Sequence, residues 1–369
     1  MKILFVLEHF YPFVGGVTVL FEELATRLVK NHTLMAIATR LPNNALIENW
    51  RGITIRRVAT PPFSRRYWFT CLALPTIFKH ARSADLIHTT TYNAALPAFL
   101  AGKLLRKPVV VTVHEVWGRR WFHYDLTFPL ALIYFLIEQL ILRLPFDQFI
   151  AVSQATSRDL IALRGAKKKV RIIHNGIDEK LFAPTRYHHE HEKNRLGYAR
   201  KFLFLYFGRP GISKGVSLLI DAMQTQPVKA HLLLILGQDP KAGYRAIEQQ
   251  IQRLGLQTKI TLRPPLPRAR LPRILASADC VVVPSLAEGF GFSAAEACAM
   301  DRPIIASRAG SLPEVVSGKV IFFETGNSQA LARALKLAQR NKFDKIKRRS
   351  FSWDASVASH LMLYSELIA

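Results

Sequence analysis

Short apolar runs alternate with longer amphipathic segments along most of the chain. The apolar runs are rich in Val, Ile, Leu and Phe, and this alternation is typical of a parallel β-sheet covered by helices. In the first half, the pattern predicts strands at Ile3–Leu7, Leu34–Ala38, Ile53–Val58, Asp85–His88, Val109–Val113, Phe149–Val152 and Val170–Ile173. In the second half, it predicts strands at Phe202–Phe207, Leu232–Leu236, Ile260–Leu262, Cys280–Val283, Ile304–Ala306 and Val320–Phe323.

Helical periodicity occupies most of the segments between these strands. In the first half it predicts helices at Val17–Lys30, Ala94–Leu105, Leu130–Arg143 and Gln154–Arg164. In the second half it predicts helices at Val216–Gln224, Tyr244–Leu254, Leu271–Ala278, Phe292–Met300 and Gln329–Gln339. The last segment, WDASVASHLMLYSELIA, predicts a further helix, capped by Ser352 or Asp354.

The alternation is interrupted at residues 178–201, which are polar and charged and show no apolar periodicity. A chain of 369 residues is also too long for one ordinary hydrophobic core. We therefore expect an α/β protein with a domain over residues 1–177, a linker over 178–201, a second domain over 202–350 and a final helix over 351–369. Both domains would be doubly wound, with a cleft between them.

Charge is the unusual feature of the composition. The chain has 51 Lys and Arg against 26 Asp and Glu, a net charge of +25. The excess is +12 over residues 1–185 and +13 over 186–369, so it is not a basic tail. Such a charge attracts polyanions, anionic membrane surfaces or phosphate-rich ligands, and nucleic acid is among the possible partners.

Compartment signals favour the cytoplasm. The three cysteines, Cys71, Cys280 and Cys298, lack metal or redox spacing and fit a reducing environment. The first residues predict a strand rather than a signal peptide, because their apolar run is only five residues long. The longest uncharged apolar runs, Tyr67–Phe78 and Leu126–Ile137, have twelve residues each, whereas a spanning helix needs about 20.

Candidate chemistry follows the predicted strands, where doubly wound sheets bind their ligands. Gly15 and Gly16 follow the first strand and open a helix, an arrangement that suits an anion but also an ordinary tight turn. His114 follows Val109–Val113 and is either a cleft residue or a core histidine. The pattern GxGxxG is missing, which disfavours a nicotinamide enzyme.

Two cations follow the first strand of the second half, in GRPGISKG. Arg209 offers a planar guanidinium and Lys214 a compact ammonium, and together they could neutralise a diphosphate. The loop departs from GxxxxGK[ST], so the main signature of ATP hydrolysis is missing.

Two carboxylates stand eight positions apart in SLAEGFGFSAAEACAM, residues 285–300. Glu288 on the loop could accept hydrogen bonds from sugar hydroxyls, and Glu296 on the following helix from a ribose diol. The backbone of Gly289, Phe290 and Gly291 would point N–H groups at phosphate or sugar oxygens. A glycoside hydrolase needs both carboxylates beside one bond, which these positions do not favour.

The motifs occur together and in order: GGV, HE, AVS, HNGID, GRPGISKG, ADCVVVPS, EGFGFSAAE and SRAGSLPEVV. Over nearly its whole length the chain resembles retaining nucleotide-sugar glycosyltransferases of the GT-B fold, specifically glycosyltransferase family 4. The E-x7-E motif with Arg and Lys on the preceding loop is specific, whereas GGV and NGID gain weight only through their order. The resemblance implies two Rossmann-like domains facing across a cleft, and we expect the final helix to cross back to the first.

The resemblance also implies roles for matching positions. The implied catalytic residues are His114, Arg209, Lys214 and Glu288. The implied donor-binding residues are Gly15, Gly16, Arg209, Lys214, Pro265, Glu288, Gly289, Phe290, Gly291 and Glu296. Glu288 would hold the donor sugar, Glu296 the ribose, and the two cations the diphosphate, with the Gly16 amide near the leaving phosphate and His114 near the reacting carbon.

Further implications concern mechanism. The family transfers a hexose with net retention, without a cofactor or a divalent metal, and this chain lacks Asp-x-Asp. Two departures put the donor site in question. Pro264 and Pro265 stand where glycine is common near the base, and neither has an N–H group. Ser311 replaces a usual second glycine.

Residues 64–82 suggest a membrane contact. Arg65 and Arg66 precede Trp68 and Phe69, and Lys79 follows an apolar run, as in a segment lying on an anionic surface. A core helix with basic ends is the alternative. Residues 119–143 are similar but are expected to be more buried. With the basic charge, the pattern predicts a peripheral protein on the inner face of the plasma membrane, acting on a lipid-linked or cell-envelope glycan precursor.

Other functions remain open at this point. An epimerase-like GT-B enzyme would release nucleotide without a glycosylated product. Charge alone suggests nucleic-acid binding, although a recognition helix, zinc knuckle or RNP-like strand is missing. HHEH at residues 188–191 is expected to be a solvated segment rather than a metal site. The donor sugar, base, acceptor, linkage and oligomeric state do not follow from the sequence.

Overall fold

The computed structural model describes residues 1–13, 15–123, 126–165, 169–237 and 241–369. Within these ranges it confirms the α/β class and forms two compact units. The first unit comprises Met1–Gly176 and Trp353–Ala369, and the second comprises Ile177–Ser352. Each unit has its own sheet and its own buried apolar core.

The first unit is built on an eight-stranded sheet within the described ranges. Its strands are β1 (Lys2–Val6), β2 (Thr33–Thr39), β3 (Ile47–Trp50), β4 (Ile53–Val58), β5 (Leu86–Thr90), β6 (Val109–Val113), β7 (Gln148–Ala151) and β8 (Val170–Ile172). They lie in the order β3-β4-β2-β1-β5-β6-β7-β8, with β3 antiparallel to β4 and the others parallel. The strand order changes direction between β1 and β5, so ligands are expected beyond the carboxyl ends of these strands.

Helices cover both faces of this sheet, as parallel connections require. They are α1 (Gly16–Leu28), α2 (Arg65–Leu72), α3 (Leu74–Ala81), α4 (Ala95–Leu105), α5 (Phe128–Arg143) and α6 (Gln154–Arg164), with a 3₁₀ turn at Gly118–His123. Local sequence sets their ends. At the start of α6, the Ser153 hydroxyl accepts a hydrogen bond from the Thr156 N–H at 3.0 Å, and Gly165 ends the helix with a φ of +66°.

The second unit has a seven-stranded sheet in its described part. Its strands are β9 (Phe202–Gly208), β10 (Ala230–Leu236), β11 (Ile260–Arg263), β12 (Cys280–Val283), β13 (Ile304–Ser307), β14 (Gly318–Phe323) and β15 (Asp344–Ile346). The order is β11-β10-β9-β12-β13-β14-β15, and β15 alone is antiparallel among these strands. The strand order therefore reverses between β9 and β12.

The helices of the second unit pack on both sides of its sheet. They are α7 (His189–Arg195), α8 (Val216–Met223), α9 (Lys241–Arg253), α10 (Leu271–Ser277), α11 (Phe292–Ala299), α12 (Leu312–Val315) and α13 (Ser328–Gln339). Shorter 3₁₀ turns lie at Pro184–Arg186, Ile212–Lys214 and Arg268–Arg270.

Residues 178–201, for which the sequence predicts a linker, belong to the second unit and include α7. Polar contacts anchor this segment. Lys193 Nζ lies 2.8 Å from Asp279 Oδ2, and His189 Nε2 lies 3.0 Å from Asp279 Oδ1. Because charge pairs rather than apolar residues hold α7, its sequence shows no hydrophobic periodicity. His189, from the HHEH segment, is thus part of a structural ion-pair network.

The last helix, α14 (Trp353–Ile368), belongs to the first unit, as the sequence predicts for the C-terminal segment. Its Tyr364 is buried, and the hydroxyl lies 2.6 Å from Nδ1 of the buried His88. The chain enters and leaves the second unit side by side, because the Ile177 N–H donates to the Phe351 carbonyl at 2.7 Å.

Candidate functional site

An ion pair lies at the point where the second sheet reverses its order. Lys214 Nζ is 3.0 Å from Oε1 and 2.9 Å from Oε2 of Glu288. The Ser285 hydroxyl donates to Oε2 at 3.0 Å. Both charged side chains are largely buried, with exposed fractions of 17% for Lys214 and 10% for Glu288. The structure thus brings together a cation and a carboxylate that the sequence assigns to phosphate and sugar.

The loops that follow β9 and β12 are joined so closely that glycine is required between them. The Leu286 N–H donates to the Ser213 carbonyl at 2.7 Å. Gly215, which follows Lys214, has a φ of +64°, and a Cβ there would lie 2.0 Å from the Pro284 carbonyl oxygen. Any other residue at Gly215 would push the two loops apart and move Lys214 away from Glu288.

The backbone of Glu288 is fixed from the other side by the loop after β13. The Ser311 N–H and hydroxyl both donate to the Glu288 carbonyl, at 3.1 and 3.2 Å. Gly310 has a φ of +49°, and a Cβ there would lie 2.1 Å from the same carbonyl oxygen. Ser311, a departure from the family pattern, therefore adds a hydrogen bond that holds the loop carrying Glu288.

Arg209 lies at the same edge, directly after β9, and is exposed. Its carbonyl accepts a hydrogen bond from the hydroxyl of the buried Tyr206 at 3.0 Å. Burial raises the pKa of Tyr206 well above its usual value, the nearby Glu288 raises it further, and Arg209 opposes the shift. Tyr206 therefore stays neutral and fixes the backbone that carries Arg209.

Glu296 is on α11 and is only 6% exposed. Burial raises its pKa to about 7, and the guanidinium of Arg268 opposes the shift. Arg268 Nη2 lies 3.2 Å from Glu296 Oε1, and its guanidinium carbon is 5.7 Å from the centre of the Phe182 ring. Sequence reasoning missed Arg268, although the basic segment PRAR begins four residues after the end of β11, close to the strand end where ligands bind.

The glycine loop between the two carboxylates has mixed roles. Phe290 is buried, with its ring centre 5.3 Å from Phe292 and 5.2 Å from Phe351. Gly289 and Gly291 are buried beside it, and Gly291 opens α11 with a φ of +88°. The Phe290 side chain is therefore a core residue, and the backbone is the part of this loop that can contact a ligand.

Pro265 is exposed directly after β11, next to Pro264. These two prolines supply no N–H donors, whereas Arg268 nearby supplies a guanidinium. Where the resemblance places a nucleotide base, the described donor is therefore the Arg268 guanidinium, and Pro264 and Pro265 offer no amide.

In the first unit, His114 follows β6, and its carbonyl accepts a hydrogen bond from the Thr156 hydroxyl at 3.2 Å. Burial lowers the pKa of His114 to about 4, so its imidazole is neutral at pH 7. Its Nε2 atom is buried without a hydrogen-bond partner among the described residues. A buried nitrogen of this kind is available to a ligand.

Gly15 and Gly16 lie at the start of α1, and Gly16 is exposed. They follow β1 and His114 follows β6, so the three residues lie at the carboxyl edge of one sheet. A substituent Cβ at Gly15 would lie 3.2 Å from the Phe13 ring. The turn is therefore tight as well as accessible.

A further polar cluster, which sequence reasoning missed, lies beside this turn. Glu8 directly follows β1, and its carboxylate lies 2.7 Å from Asn93 Nδ2 and 3.0 Å from His9 Nε2. Burial acts to raise the pKa of Glu8, but the contacts with His9 and Asn93 and the charge of Arg66 lower it overall. Glu8 and Asn93 follow β1 and β5, which flank the reversal of strand order.

The predicted membrane residues have different positions. Arg66, Trp68 and Lys79 are exposed and Arg65 is partly exposed, whereas Phe69 is fully buried in the core. The prediction that Phe69 contacts a membrane is wrong, because α2 turns this side chain towards the sheet. Residues 119–143, expected to be more buried, instead carry many exposed apolar side chains on α5.

Two kinds of feature are missing from residues 1–13, 15–123, 126–165, 169–237 and 241–369. Within those ranges, no helix has the length and apolar character needed to cross a bilayer. In the same part of the chain, no three His, Cys, Asp or Glu side chains are placed to hold a metal ion.

Solved structures place the fold in a known class. Sucrose-phosphate synthase from Thermosynechococcus elongatus superposes with a TM-score of 0.82 at 23% identity, covering 99% of this chain and 98% of that one. HepE from Anabaena, in complex with UDP and glucose, has a TM-score of 0.78 at 22% identity and covers 99% of both chains. The fold is that of GT-B glycosyltransferases, as predicted.

Family models identify the protein family. The model for Glycosyltransferase Family 4 matches residues 14–181, and that for Glycosyl transferases group 1 matches residues 189–355. The chain therefore belongs to glycosyltransferase family 4 of the group 1 type, and the resemblance seen in its motifs is confirmed.

Curated relatives agree with this assignment. D-inositol 3-phosphate glycosyltransferase from Kineococcus radiotolerans is 27% identical over 96% of this chain and 91% of the relative. MMP alpha-(1->4)-mannosyltransferase from Mycolicibacterium hassiacum is 29% identical over 71% of this chain and 66% of the relative.

Proposed function

We propose that the protein is a retaining hexosyltransferase that takes a sugar from a nucleotide-diphosphate donor without a divalent metal. The observation that carries this proposal is the buried ion pair of Lys214 and Glu288, beside the exposed Arg209. The Glu288 carboxylate suits sugar hydroxyls, and the cations Lys214 and Arg209 suit a diphosphate. One small site therefore has the groups for both halves of the donor.

Catalysis would come from fixed charges. Breaking the glycosidic bond places negative charge on the diphosphate and positive charge on the sugar carbon. Lys214 and Arg209 would stabilise the leaving diphosphate, which is the electrostatic work a metal does elsewhere. His114 of the first unit is neutral at pH 7, so it would add no charge that repels a positive sugar carbon.

Retention would follow from attack on the face from which the diphosphate leaves. Glu288 is held by Lys214 and Ser285 and serves as a binding group in this scheme, so we do not assign it as a covalent nucleophile. The stereochemistry is tested by the anomeric configuration of the product in an NMR spectrum. An inverted product would overturn this part of the proposal.

The nucleotide would lie against α11. Ionised Glu296 accepts hydrogen bonds from a ribose diol, and Arg268 would contact the base or the ribose from the segment after β11. Because the pKa of Glu296 is about 7, its carboxylate becomes ionised as the pH rises through 7, and nucleotide affinity should rise with it. UDP is the first nucleotide to test, because a structural neighbour of the same fold was solved with it.

We infer that the acceptor is a lipid-linked or cell-envelope glycan precursor, and that the enzyme works on the anionic inner face of the plasma membrane. The support is physical: the net charge of +25 favours an anionic surface, and the first unit exposes large apolar side chains. Such a location would bring the enzyme to an acceptor that remains in the bilayer.

The decisive experiment is a thermal-shift titration of UDP, GDP and ADP, and of their sugar conjugates, with EDTA present. A nucleotide that binds only the folded state raises the melting temperature. At a concentration a hundred times Kd, it raises the free energy of unfolding by about 2.7 kcal/mol. We expect one nucleotide to act, and Arg209→Ala and Glu296→Ala to abolish the shift. Arg270→Ala, an exposed cation beside Arg268, is the matched control. Folded protein that responds to no nucleotide would overturn the proposal.

A further inference from the structure

The outward side of α5 is apolar. Leu132, Leu136 and Leu140 follow one another at a spacing of four, and their exposed fractions are 37%, 54% and 61%. Ile133 and Ile137 lie beside them, with 50% and 38% exposed. A helix on the surface of a domain normally carries polar side chains at such positions. These five residues are called the α5 face below.

The opposite side of α5 is fixed to the first unit, so the helix cannot rotate to hide this face. Ala131, Ile141 and Leu142 are buried. Glu138, 1% exposed, accepts hydrogen bonds from the Tyr92 hydroxyl and from the backbone N–H groups of residues 117 and 118. The single acidic residue of α5 therefore points inwards, whereas the five apolar residues of the α5 face point to solvent.

Aromatic residues extend the α5 face at the amino end of the helix. The rings of Phe122, Phe128 and Phe135, with Arg119 and His123, line an open groove of about 480 Å³. Phe128 is 69% exposed. Individual exposed apolar residues are ordinary, but a contiguous patch of this kind marks an interaction surface.

A second helix joins this surface. The hydroxyls of Tyr67 on α2 and Tyr134 on α5 are 2.8 Å apart. Trp68, 39% exposed, lies next to Tyr67 and contacts the exposed ring of Phe63. The apolar surface thus continues from α5 to the aromatic residues of α2.

Basic side chains border this surface. Arg119 precedes α5, Arg143 is the last residue of α5, and both are exposed. Residues 61–82 contain four Lys or Arg and no Asp or Glu. Apolar and aromatic residues bordered by cations match the interface of a bilayer with anionic headgroups, where each basic residue contributes about 1 kcal/mol.

We propose that the α5 face, with Phe122 and Phe128, inserts at the headgroup boundary of an anionic lipid bilayer, and that Arg119 and Arg143 contact the lipid phosphates. This names the surface for the membrane location given under the proposed function and assigns the main contact to α5, with α2 at its edge. The bilayer would cover the apolar patch that the isolated domain exposes.

Vesicle flotation tests the proposal with Leu136→Ser/Leu140→Ser. Wild-type protein should float with vesicles of 70% phosphatidylcholine and 30% phosphatidylglycerol at low salt. The variant should partition at least about tenfold more weakly, because it removes two apolar side chains from the interface. The matched control is Met362→Ser, since Met362 is 59% exposed on α14. It should partition like the wild type.

An environment-sensitive fluorophore gives an independent readout. It is attached at Leu136→Cys or at Met362→Cys, in a Cys71→Ser background because Cys71 is exposed. Anionic vesicles should shift the emission to the blue at position 136 and leave it unchanged at position 362. Equal shifts at both positions would overturn the assignment of the surface.

Three other outcomes would also overturn the proposal. They are wild-type protein that stays unbound, a double variant that floats like the wild type, and equal binding to pure phosphatidylcholine. If wild-type protein forms a dimer that the double variant dissociates, and does not bind vesicles, the α5 face would instead be assigned to a second copy of the chain.

Nucleotide thermal shifts are measured on the same variants. Unchanged shifts with lost flotation separate this surface from the proposed activity.

Discussion

Two regions of the molecule depart from the usual burial rule in opposite directions. At the reversal point of the second sheet, charged groups are inside: Glu288 and Lys214 are largely buried, and Glu296 is 6% exposed. On the α5 face of the first unit, apolar groups are outside, and Leu140 is 61% exposed. Most residues of both units follow the rule, which makes these two exceptions informative.

The difference shows what each region is suited to bind. Burying a carboxylate costs free energy unless partners satisfy it, and exposing leucine to water loses the benefit of burial. A ligand with hydroxyls and phosphates would use the first region, and a hydrocarbon surface would use the second. Neither arrangement improves the stability of the isolated fold, so each of the following changes should separate function from folding in a different way.

The largest effect is expected from Lys214→Ala. Removing a cation that stabilises charge in the transition state costs about 10²–10³-fold in rate, or roughly 3–4 kcal/mol. The measurement is turnover of the nucleotide sugar selected by thermal shift. Lys201→Ala, directly before β9 and at the opposite end of that strand from Lys214, is the control. Turnover within a factor of three of the wild type would show that the ion pair has only a structural role.

Glu296 should give the next largest effect, on the pH dependence of stability. Its pKa is 4.5 in the unfolded chain and about 7 when folded, so the folded state holds the proton more tightly. Protonated Glu296 therefore contributes to the free energy of unfolding. This contribution is complete below pH 4.5 and is lost as the pH rises towards 7, and it amounts to about 3 kcal/mol at most.

Urea unfolding between pH 4.5 and 7.5 measures this loss. Glu296→Gln cannot ionise, so its stability should fall less over that range than that of the wild type. Glu248→Gln, an exposed change on α9, should keep the wild-type slope. Parallel curves for wild type and Glu296→Gln would contradict the raised pKa.

Gly310→Ala should destabilise the second unit by about 2 kcal/mol or more, since the new Cβ would lie 2.1 Å from the Glu288 carbonyl at a φ of +49°. Gly197→Ala is the control for backbone strain alone. Its φ of +83° is also unfavourable for alanine, but nothing lies within 4 Å of the new Cβ. It should cost about 1 kcal/mol. Equal losses in thermal unfolding would show that the loop moves aside at Gly310.

The smallest effect concerns one charge at the edge of the α5 face. Arg143→Gln should weaken binding to anionic vesicles by about fivefold, because one basic residue contributes about 1 kcal/mol. Arg253→Gln, an exposed change on α9, should have no effect. The difference between them should shrink at high salt, where the Debye length is shorter. A difference that salt leaves unchanged would exclude a charge contact.

Sequence pattern predicted the parallel strands of both sheets and most of their helices, because buried parallel strands are continuous apolar runs. It missed β3 (Ile47–Trp50) and β15 (Asp344–Ile346), two short antiparallel edge strands with polar sequences. It also missed α7, which charge pairs hold in place. Hydrophobic periodicity does not detect elements that bury little apolar surface.

The site was predicted in part. The positions after strands led to Glu288 and Lys214, and the structure places the two in contact. The same reasoning did not lead to Arg268 or to Glu8. Arg268 matters because it contacts the Glu296 carboxylate, and Glu8 because it contacts the Asn93 amide, and neither contact is visible in the sequence. The apolar sequence of α5 fits a buried helix as well as an exposed one. Only the packing of its opposite side shows which residues face the solvent.

The return of α14 to the first unit has a consequence for synthesis on the ribosome. The second unit, Ile177–Ser352, is one continuous segment, whereas the first unit also needs Trp353–Ala369, which are synthesised after the whole of the second unit. A nascent chain should therefore complete the second unit first, although domains usually fold in the order in which they emerge. A fragment ending at Gly176 would leave His88 without the hydroxyl of Tyr364, so a stable first unit needs α14 as well as residues 1–176.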